Sequence, residues 1–118
     1  MIHQDYIRTN RILAGIVFVL SFIVYYDTMA PTVSYWDCGE FIAVSYTLGV
    51  PHPPGSPLFL LLGRIASMIP ISPDIAFRVN ILSPIVSAFS VFFLYLIIVL
   101  VVNHWRGKVE SFQDAFIV

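Results

Sequence analysis

The chain has 118 residues, of which 58% are hydrophobic and 11% are charged, and its mean hydropathy is +0.88. This composition is far more apolar than that of ordinary soluble proteins and indicates a membrane protein. The formal net charge of −1, without a Lys/Arg tract interleaved with aromatic residues, argues against nucleic acid as a partner.

The first predicted element is a transmembrane helix over about residues 12–29. An apolar run follows Arg8 and Arg11. The run is slightly short for the roughly 20 residues that cross hydrocarbon, but its continuation to residue 29 and snorkelling of Arg11 supply the difference. A cleaved signal peptide is the alternative, and it is disfavoured because Pro31 would follow the cut at Ala30.

The next segment, PTVSYWDCGEFIAVSYTLG, is bounded by Pro31 and Gly49 and predicts a helix of roughly four turns. In such a helix Asp37 and Glu40 are three residues apart and lie on the same side. Ser34 and Asp37 also fit a capping box, in which Asp37 only closes the helix end. A capping role and a chemical role for Asp37 therefore both stay open.

A proline-stiffened corner, HPPG, follows the acidic helix. Pro53 and Pro54 force an extended backbone, which holds His52 on a rigid turn close in sequence to the two acids. The next apolar run, 57–69, is too short to span and contains Arg64, so it predicts a helix lying in the membrane interface.

A metal site is conceivable at Asp37, Glu40 and His52, because carboxylates and imidazole are common ligands. No second histidine or paired motif supports it, so we predict no metal and no cofactor. Cys38 is flanked by acids, which disfavour a thiolate, and it is predicted to be a packing residue rather than a nucleophile.

The second predicted transmembrane helix covers about residues 75–102. Ser72 is expected as its N-cap, with Asp74 placed favourably against the helix dipole. Arg78 lies four residues after Asp74 and can pair with it, while Arg64 can snorkel. The functional alternative is that one of the two arginines is the counter-charge for a lipid phosphate.

The predicted architecture is an all-α membrane protein with two transmembrane helices. They are joined by an extracytoplasmic loop, 30–72, that contains two short interfacial helices, and a cytoplasmic tail covers 103–118. Basic residues lie at the outer ends of both spans, so the positive-inside rule places both termini in the cytoplasm and residues 27–74 outside. The expected location is a bacterial inner membrane. Pro84 is expected to kink the second span.

The motifs WDCGEF and HPPGSPLF, in this order between the two spans, resemble the N-terminal part of the GT-C type membrane glycosyltransferases. The similarity is closest to the protein O-mannosyltransferase-like family, formerly a domain of unknown function, in which W-D-x-G-E-F and H-P-P-G recur. The resemblance covers about residues 10–103.

This resemblance implies inverting transfer of a sugar, mannose, from a polyprenyl-phosphate-linked donor to a protein hydroxyl. It makes Asp37 the general base and Glu40 a second acid or a positioning residue, and it assigns substrate binding to His52 and Arg78. Arg64 is a further candidate for substrate binding, as a counter-charge to the lipid phosphate. The implied partners are the lipid-linked donor, the protein acceptor, membrane lipid and further C-terminal transmembrane helices, without which we expect the chain to be inactive. The alternative is a non-catalytic two-span subunit or lipid-binding hairpin.

Overall fold

The computed structural model describes residues 2–106, with side chains from residue 6 to residue 105. This part of the chain forms α1 (Ile2–Thr28), α2 (Cys38–Thr47), α3 (Pro57–Met68), α4 (Ile75–Asn80) and α5 (Leu82–Arg106). The predicted all-helical fold is confirmed. Two stretches, Tyr6–Thr28 and Ile75–Trp105, are long and apolar enough to cross a membrane, and shorter helices lie between them in the sequence. Most of the predicted tail, 107–118, lies outside the described residues.

The described residues form two compact units, of which the first comprises residues 2–24 and 86–106. In it α1 and α5 run antiparallel, because residues late in one helix meet residues early in the other. The Phe18 and Phe89 ring centroids are 4.7 Å apart, the Tyr95 hydroxyl donates to Asn10 at 2.8 Å, and the Asn103 amide donates to Tyr6 at 2.6 Å. α1 begins at Ile2, well before the predicted residue 12, and its first turns take part in this pairing through Tyr6 and Asn10.

The second unit covers residues 25–85 and contains α2, α3 and α4. Ile42 of α2 packs with Ala76 and Val79 of α4 in a small buried core. Ser45 of α2 is fully buried, and it lies where the backbone of α3 comes close at Gly63. A glycine is needed there because a Cβ atom would lie 2.5 Å from the Ser45 hydroxyl oxygen.

The predicted second span is divided into α4 and α5 at Ile81. Pro84 has no N–H to donate to the Asn80 carbonyl, and its ring obstructs a regular helix one turn earlier. The kink expected from Pro84 therefore takes the form of a break one turn before the proline.

The start of α4 differs from the prediction, because Asp74 and not Ser72 is its N-cap. The Asp74 carboxylate accepts a hydrogen bond from the Ala76 N–H at 2.8 Å. The Ser72 hydroxyl accepts from the Asp74 N–H at 3.2 Å, in the turn that precedes the helix. Asp74 keeps an extended backbone, so the helix begins only at Ile75. A carboxylate in this position also interacts favourably with the helix dipole.

Candidate functional site

The helix that carries the acids begins at Cys38, later than predicted. Trp36 has a φ of +60°, and this left-handed backbone prevents the helix from extending back to Ser34. Asp37 takes the N-cap position, but its side chain makes no capping hydrogen bond. The capping-box prediction for Ser34 and Asp37 is therefore wrong. The Asp37 carboxylate is not used to close its own helix.

Glu40, in the first turn of α2, binds His52 through two hydrogen bonds. One Glu40 oxygen accepts from the His52 backbone N–H at 2.8 Å, and the other accepts from the ring Nδ1 at 2.7 Å. This double contact fixes both the position of the corner and the orientation of the imidazole. The ring's second nitrogen, Nε2, is left facing Asp37, with 3.9 Å to the nearer carboxylate oxygen.

The structure thus brings together Asp37, Glu40 and His52, the three candidates that the sequence placed near each other. Each offers one oxygen or nitrogen within 4.8 Å of the other two. The imidazole lies between two carboxylates, and all three side chains stay partly exposed. Such an arrangement can hold a proton on His52 while leaving the Asp37 carboxylate open to an incoming group. We call these three residues the acid–histidine cluster.

The contact between Glu40 and His52 changes the acidity of both groups. The hydrogen bond from the His52 side chain lowers the pKa of Glu40 below its ordinary value, with the His52 backbone N–H adding to the effect. The same bond to the Glu40 carboxylate raises the pKa of His52. Glu40 therefore stays charged to lower pH and His52 stays charged to higher pH than either would alone, so the ion pair is present between these two limits.

The HPPG corner forms a sharp turn, but Pro53 and Pro54 are its central residues and are joined by a cis peptide bond, so the extended backbone predicted for them is wrong. The Gly55 N–H donates to the His52 carbonyl at 3.1 Å, and Gly55 has a φ of +76°, which glycine adopts without a Cβ penalty. The Phe41 ring lies edge-on both to the His52 imidazole and to the Phe59 ring of α3, with centroid distances of 6.0 and 5.9 Å. Phe41 thus supports the histidine from α2 and joins the corner to α3.

A cavity of about 510 Å³ opens beside the cluster, and Asp37 is the member of the cluster that lines it. Its polar lining comprises Asp37, Cys38, Ser56, Asn80 and Ser83, and its apolar lining comprises Trp36, Phe41, Ile42, Phe59 and Val79. Ser56, Asn80 and Ser83 were not predicted at the site, because contacts between residues so distant along the chain depend on tertiary packing. Concave sites with few polar groups among apolar walls are typical of ligand pockets.

The two candidate arginines bind backbone carbonyl groups rather than acids. Arg64 of α3 donates to the Tyr46 carbonyl near the end of α2, and its guanidinium lies 5.6 Å from the Tyr46 ring centroid. Arg78 donates to the carbonyls of Ser72 and of Ser67, the latter at 2.9 Å. The predicted pairing of Arg78 with Asp74 is wrong, because Asp74 is used as the N-cap. Neither arginine lines the cavity.

Asn80, the last residue of α4, holds the segment that precedes the acids. Its amide donates to the carbonyls of Ala30 and Thr32, both at 3.0 Å. Asp74 holds the same segment, because a hydrogen bond from the Thr32 side chain is the main cause of its lowered pKa. These contacts fix the chain shortly before Trp36 and Asp37. Asn80 is therefore a positioning residue for the cluster.

Asn80→Asp is expected to destabilise the second unit by about 2 kcal/mol, at about 1 kcal/mol for each hydrogen bond lost. Aspartate keeps the shape of the asparagine side chain, but a carboxylate oxygen replaces the amide NH₂ group and faces the two carbonyl oxygens of Ala30 and Thr32. Thermal unfolding of the purified protein measures the change. Ser83→Ala, on the same cavity, is the control, with an expected change within about 0.5 kcal/mol. Equal unfolding temperatures for Asn80→Asp and the control would contradict this role of Asn80.

A divalent cation would find suitable ligand types in the acid–histidine cluster. However, both Glu40 oxygens and the His52 Nδ1 are already joined by hydrogen bonds. A metal ion would be left with Asp37 and the His52 Nε2 unless those bonds broke. The predicted absence of a metal stays a prediction.

Comparison with known proteins bears on the same part of the chain. Residues 37–118 match the family described as the protein O-mannosyl-transferase TMEM260 N-terminal domain. The chain is 38% identical over 104 residues to the protein O-mannosyl-transferase tmem260 of Dictyostelium discoideum. This match covers 86% of this chain and 13% of that protein. It is 39% identical over 59 residues to the TMEM260 protein of Mus musculus, covering 50% of this chain and 8% of that protein. No solved structure matches.

Proposed function

Because the chain belongs to the protein O-mannosyl-transferase TMEM260 N-terminal domain family, we propose that it forms part of the active site of a membrane glycosyltransferase acting on a protein hydroxyl. The observation that carries this proposal is the open Asp37 carboxylate, which belongs both to the acid–histidine cluster and to the cavity lining. The chain spans about an eighth or less of the relatives that it matches, so the activity proposed is that of the full-length protein.

In the proposed reaction Asp37 is the general base. As the acceptor hydroxyl oxygen forms a bond to the anomeric carbon of the sugar, its proton passes to the Asp37 carboxylate. The bond from that carbon to the phosphate oxygen breaks on the opposite face, and the polyprenyl phosphate leaves with the electron pair. This single displacement inverts the anomeric centre. Mannose is the sugar we propose, because the relatives are named as protein O-mannosyl-transferases.

Glu40 and His52 have a different role in this proposal. Glu40 keeps His52 positioned and charged. The imidazolium, whose Nε2 lies 3.9 Å from Asp37, supplies the positive charge near Asp37 that attracts the phosphate of a polyprenyl-phosphate-linked donor. The starts of α2 and α3 support this placement, because Asp37 and Ser56, their N-cap residues, both line the cavity. Helix N-termini carry partial positive charge and free N–H groups, which favour phosphate.

The remaining parts of the proposal concern the arginines, the topology and the rest of the protein. The phosphate-facing role predicted for Arg64 and Arg78 stays a prediction. We place residues 27–74 on the extracytoplasmic side, where a GT-C type enzyme meets its acceptor, and a bacterial inner membrane stays the expected location. We further propose that this chain alone is inactive, since one pair of apolar helices cannot enclose a lipid-linked sugar and exclude water.

Glu40→Gln in the full-length protein tests the role of the Glu40–His52 pair. Glutamine removes the charge that raises the pKa of His52, so that pKa should fall toward its ordinary value. If charged His52 is needed for turnover, the alkaline limb of the kcat/KM profile moves to lower pH in this variant. Steady-state transfer rates across the pH range measure the movement.

The control for this experiment is Asp27→Asn, which removes one negative charge outside the acid–histidine cluster. Its profile should match that of the unmodified protein. An unchanged alkaline limb in Glu40→Gln, with normal protein yield, would contradict a role for the charged histidine and favour a purely structural contact between α2 and the corner.

A further inference from the structure

Trp36 is held in an unusual state beside the cavity. Its side chain is 95% exposed, and its backbone has the left-handed φ of +60°, which residues other than glycine rarely adopt. Both features are unfavourable for an isolated chain, because they leave a large apolar ring in contact with solvent and strain the backbone. Strain of this kind persists where the surrounding structure imposes it, and it is often found at binding sites.

The other aromatic residues of the cavity have ring partners, and Trp36 does not among the described residues. Phe41 and Phe59 pack edge-to-face, with their centroids 5.9 Å apart. They form part of the wall that joins α2 to α3. The indole of Trp36 is therefore the aromatic face of the cavity that remains available to a ligand.

Polar groups of the same cavity complement this aromatic face. Ser56 is the N-cap residue of α3 but makes no side-chain capping bond, so its hydroxyl is not used by its own helix. Ser83 and Asn80 also line the cavity and are polar. A pyranose ring has the matching chemistry, because one face presents C–H bonds that stack on an aromatic ring while hydroxyl groups surround its edge.

We propose that Trp36 stacks on the pyranose ring of the transferred sugar and thereby places the anomeric carbon beside Asp37. This inference rests on the proposed glycosyltransferase function and adds a sugar-binding residue to it. Exposed tyrosine and tryptophan residues are both common at the membrane interface, where they anchor a protein. The neighbouring residue, Tyr35, distinguishes sugar stacking by Trp36 from such anchoring. Tyr35 is 87% exposed but does not line the cavity, whereas Trp36 does.

The test compares Trp36→Ala, Trp36→Phe and Tyr35→Ala in the full-length protein, with a lipid-linked sugar as donor. Trp36→Ala should raise the donor KM about tenfold, which is the effect of losing one aromatic stacking contact. Trp36→Phe keeps an aromatic face and should retain most of the affinity. Tyr35→Ala is the matched control and should leave the donor KM unchanged. Since both side chains are almost fully exposed, neither truncation removes core packing.

Two results would overturn the stacking proposal. Equal increases in donor KM for Trp36→Ala and Tyr35→Ala would assign both residues to the membrane interface. A lower kcat with unchanged donor KM in Trp36→Ala would mean that the residue only shapes the loop. Asp37→Asn, assayed in the same experiment, shows whether a failure concerns the stacking or the proposed function. If Asp37→Asn is inactive while Trp36→Ala binds donor normally, only the stacking proposal fails. If Asp37→Asn is fully active, the proposed function itself fails.

Discussion

Asp37→Asn in the full-length protein is expected to lower the rate of sugar transfer by about 100- to 10,000-fold, the usual contribution of a general base. Asparagine keeps the shape of the side chain but cannot accept the acceptor's proton in the displacement. The Asp37 carboxylate makes no capping bond, so the substitution should change the free energy of unfolding by no more than about 0.5 kcal/mol. Initial rates with saturating donor and acceptor measure the effect.

The matched control is Asp27→Asn, which makes the same chemical change outside the acid–histidine cluster and the cavity lining. It should retain the rate of the unmodified protein. If Asp37→Asn also retained that rate, the general-base assignment would be refuted, and a non-catalytic hairpin would become the better description of this segment.

Gly63→Ala is expected to destabilise the second unit by about 1–3 kcal/mol, a typical cost of overpacking. The new Cβ atom would lie 2.5 Å from the Ser45 hydroxyl oxygen and 2.9 Å from the Ser45 Cβ. The Cβ cannot rotate away, so α2 and α3 would have to separate. Because α2 carries Glu40, the acid–histidine cluster would move with it, and transfer should fall as well. Thermal unfolding and transfer rate are the two measurements.

Two further variants serve as the control and the rescue for Gly63→Ala. Gly15→Ala makes the same change in α1, where an added Cβ meets no atom within 4 Å, and it should be neutral or stabilising by up to about 1 kcal/mol. Adding Ser45→Gly to Gly63→Ala removes both clashing atoms and should restore part of the stability. If Gly63→Ala unfolded at the same temperature as Gly15→Ala, the close packing of α2 on α3 would be wrong.

Short-range sequence patterns correctly predicted α3, the shared side of the two carboxylates and the corner at His52. The apolar run bounded by prolines gave α3 almost to the residue, with Pro57 at its start, as its fixed φ favours. The spacing of Asp37 and Glu40 correctly placed both carboxylates on one side of the chain. The corner at His52 followed from consecutive prolines and a glycine. In each case the residues that determine the geometry are neighbours in the sequence.

The errors concern choices that tertiary contacts decide. Ser34 and Asp37 have the spacing of a capping box, but the left-handed backbone at Trp36 prevents α2 from starting at Ser34. Arg78 had an acid at a favourable helical spacing, yet its guanidinium donates instead to the carbonyl of Ser67 in α3 and to that of Ser72 in the α3–α4 connection. No periodicity could reveal that the Asn80 amide reaches carbonyl groups 50 and 48 residues earlier.

Cys38 offers the most direct measurement of the central proposal, that the cavity beside Asp37 receives the sugar donor on the extracytoplasmic side. It is an exposed free thiol that lines the cavity, so the prediction that it is a packing residue is wrong. A membrane-impermeant maleimide added to sealed, right-side-out vesicles with the full-length protein should label Cys38, as read by mass spectrometry of its peptide. Lipid-linked sugar should slow this labelling, and lipid without phosphate or sugar should not. Labelling only from the cytoplasmic side, or at a rate that the donor leaves unchanged, would contradict the proposal.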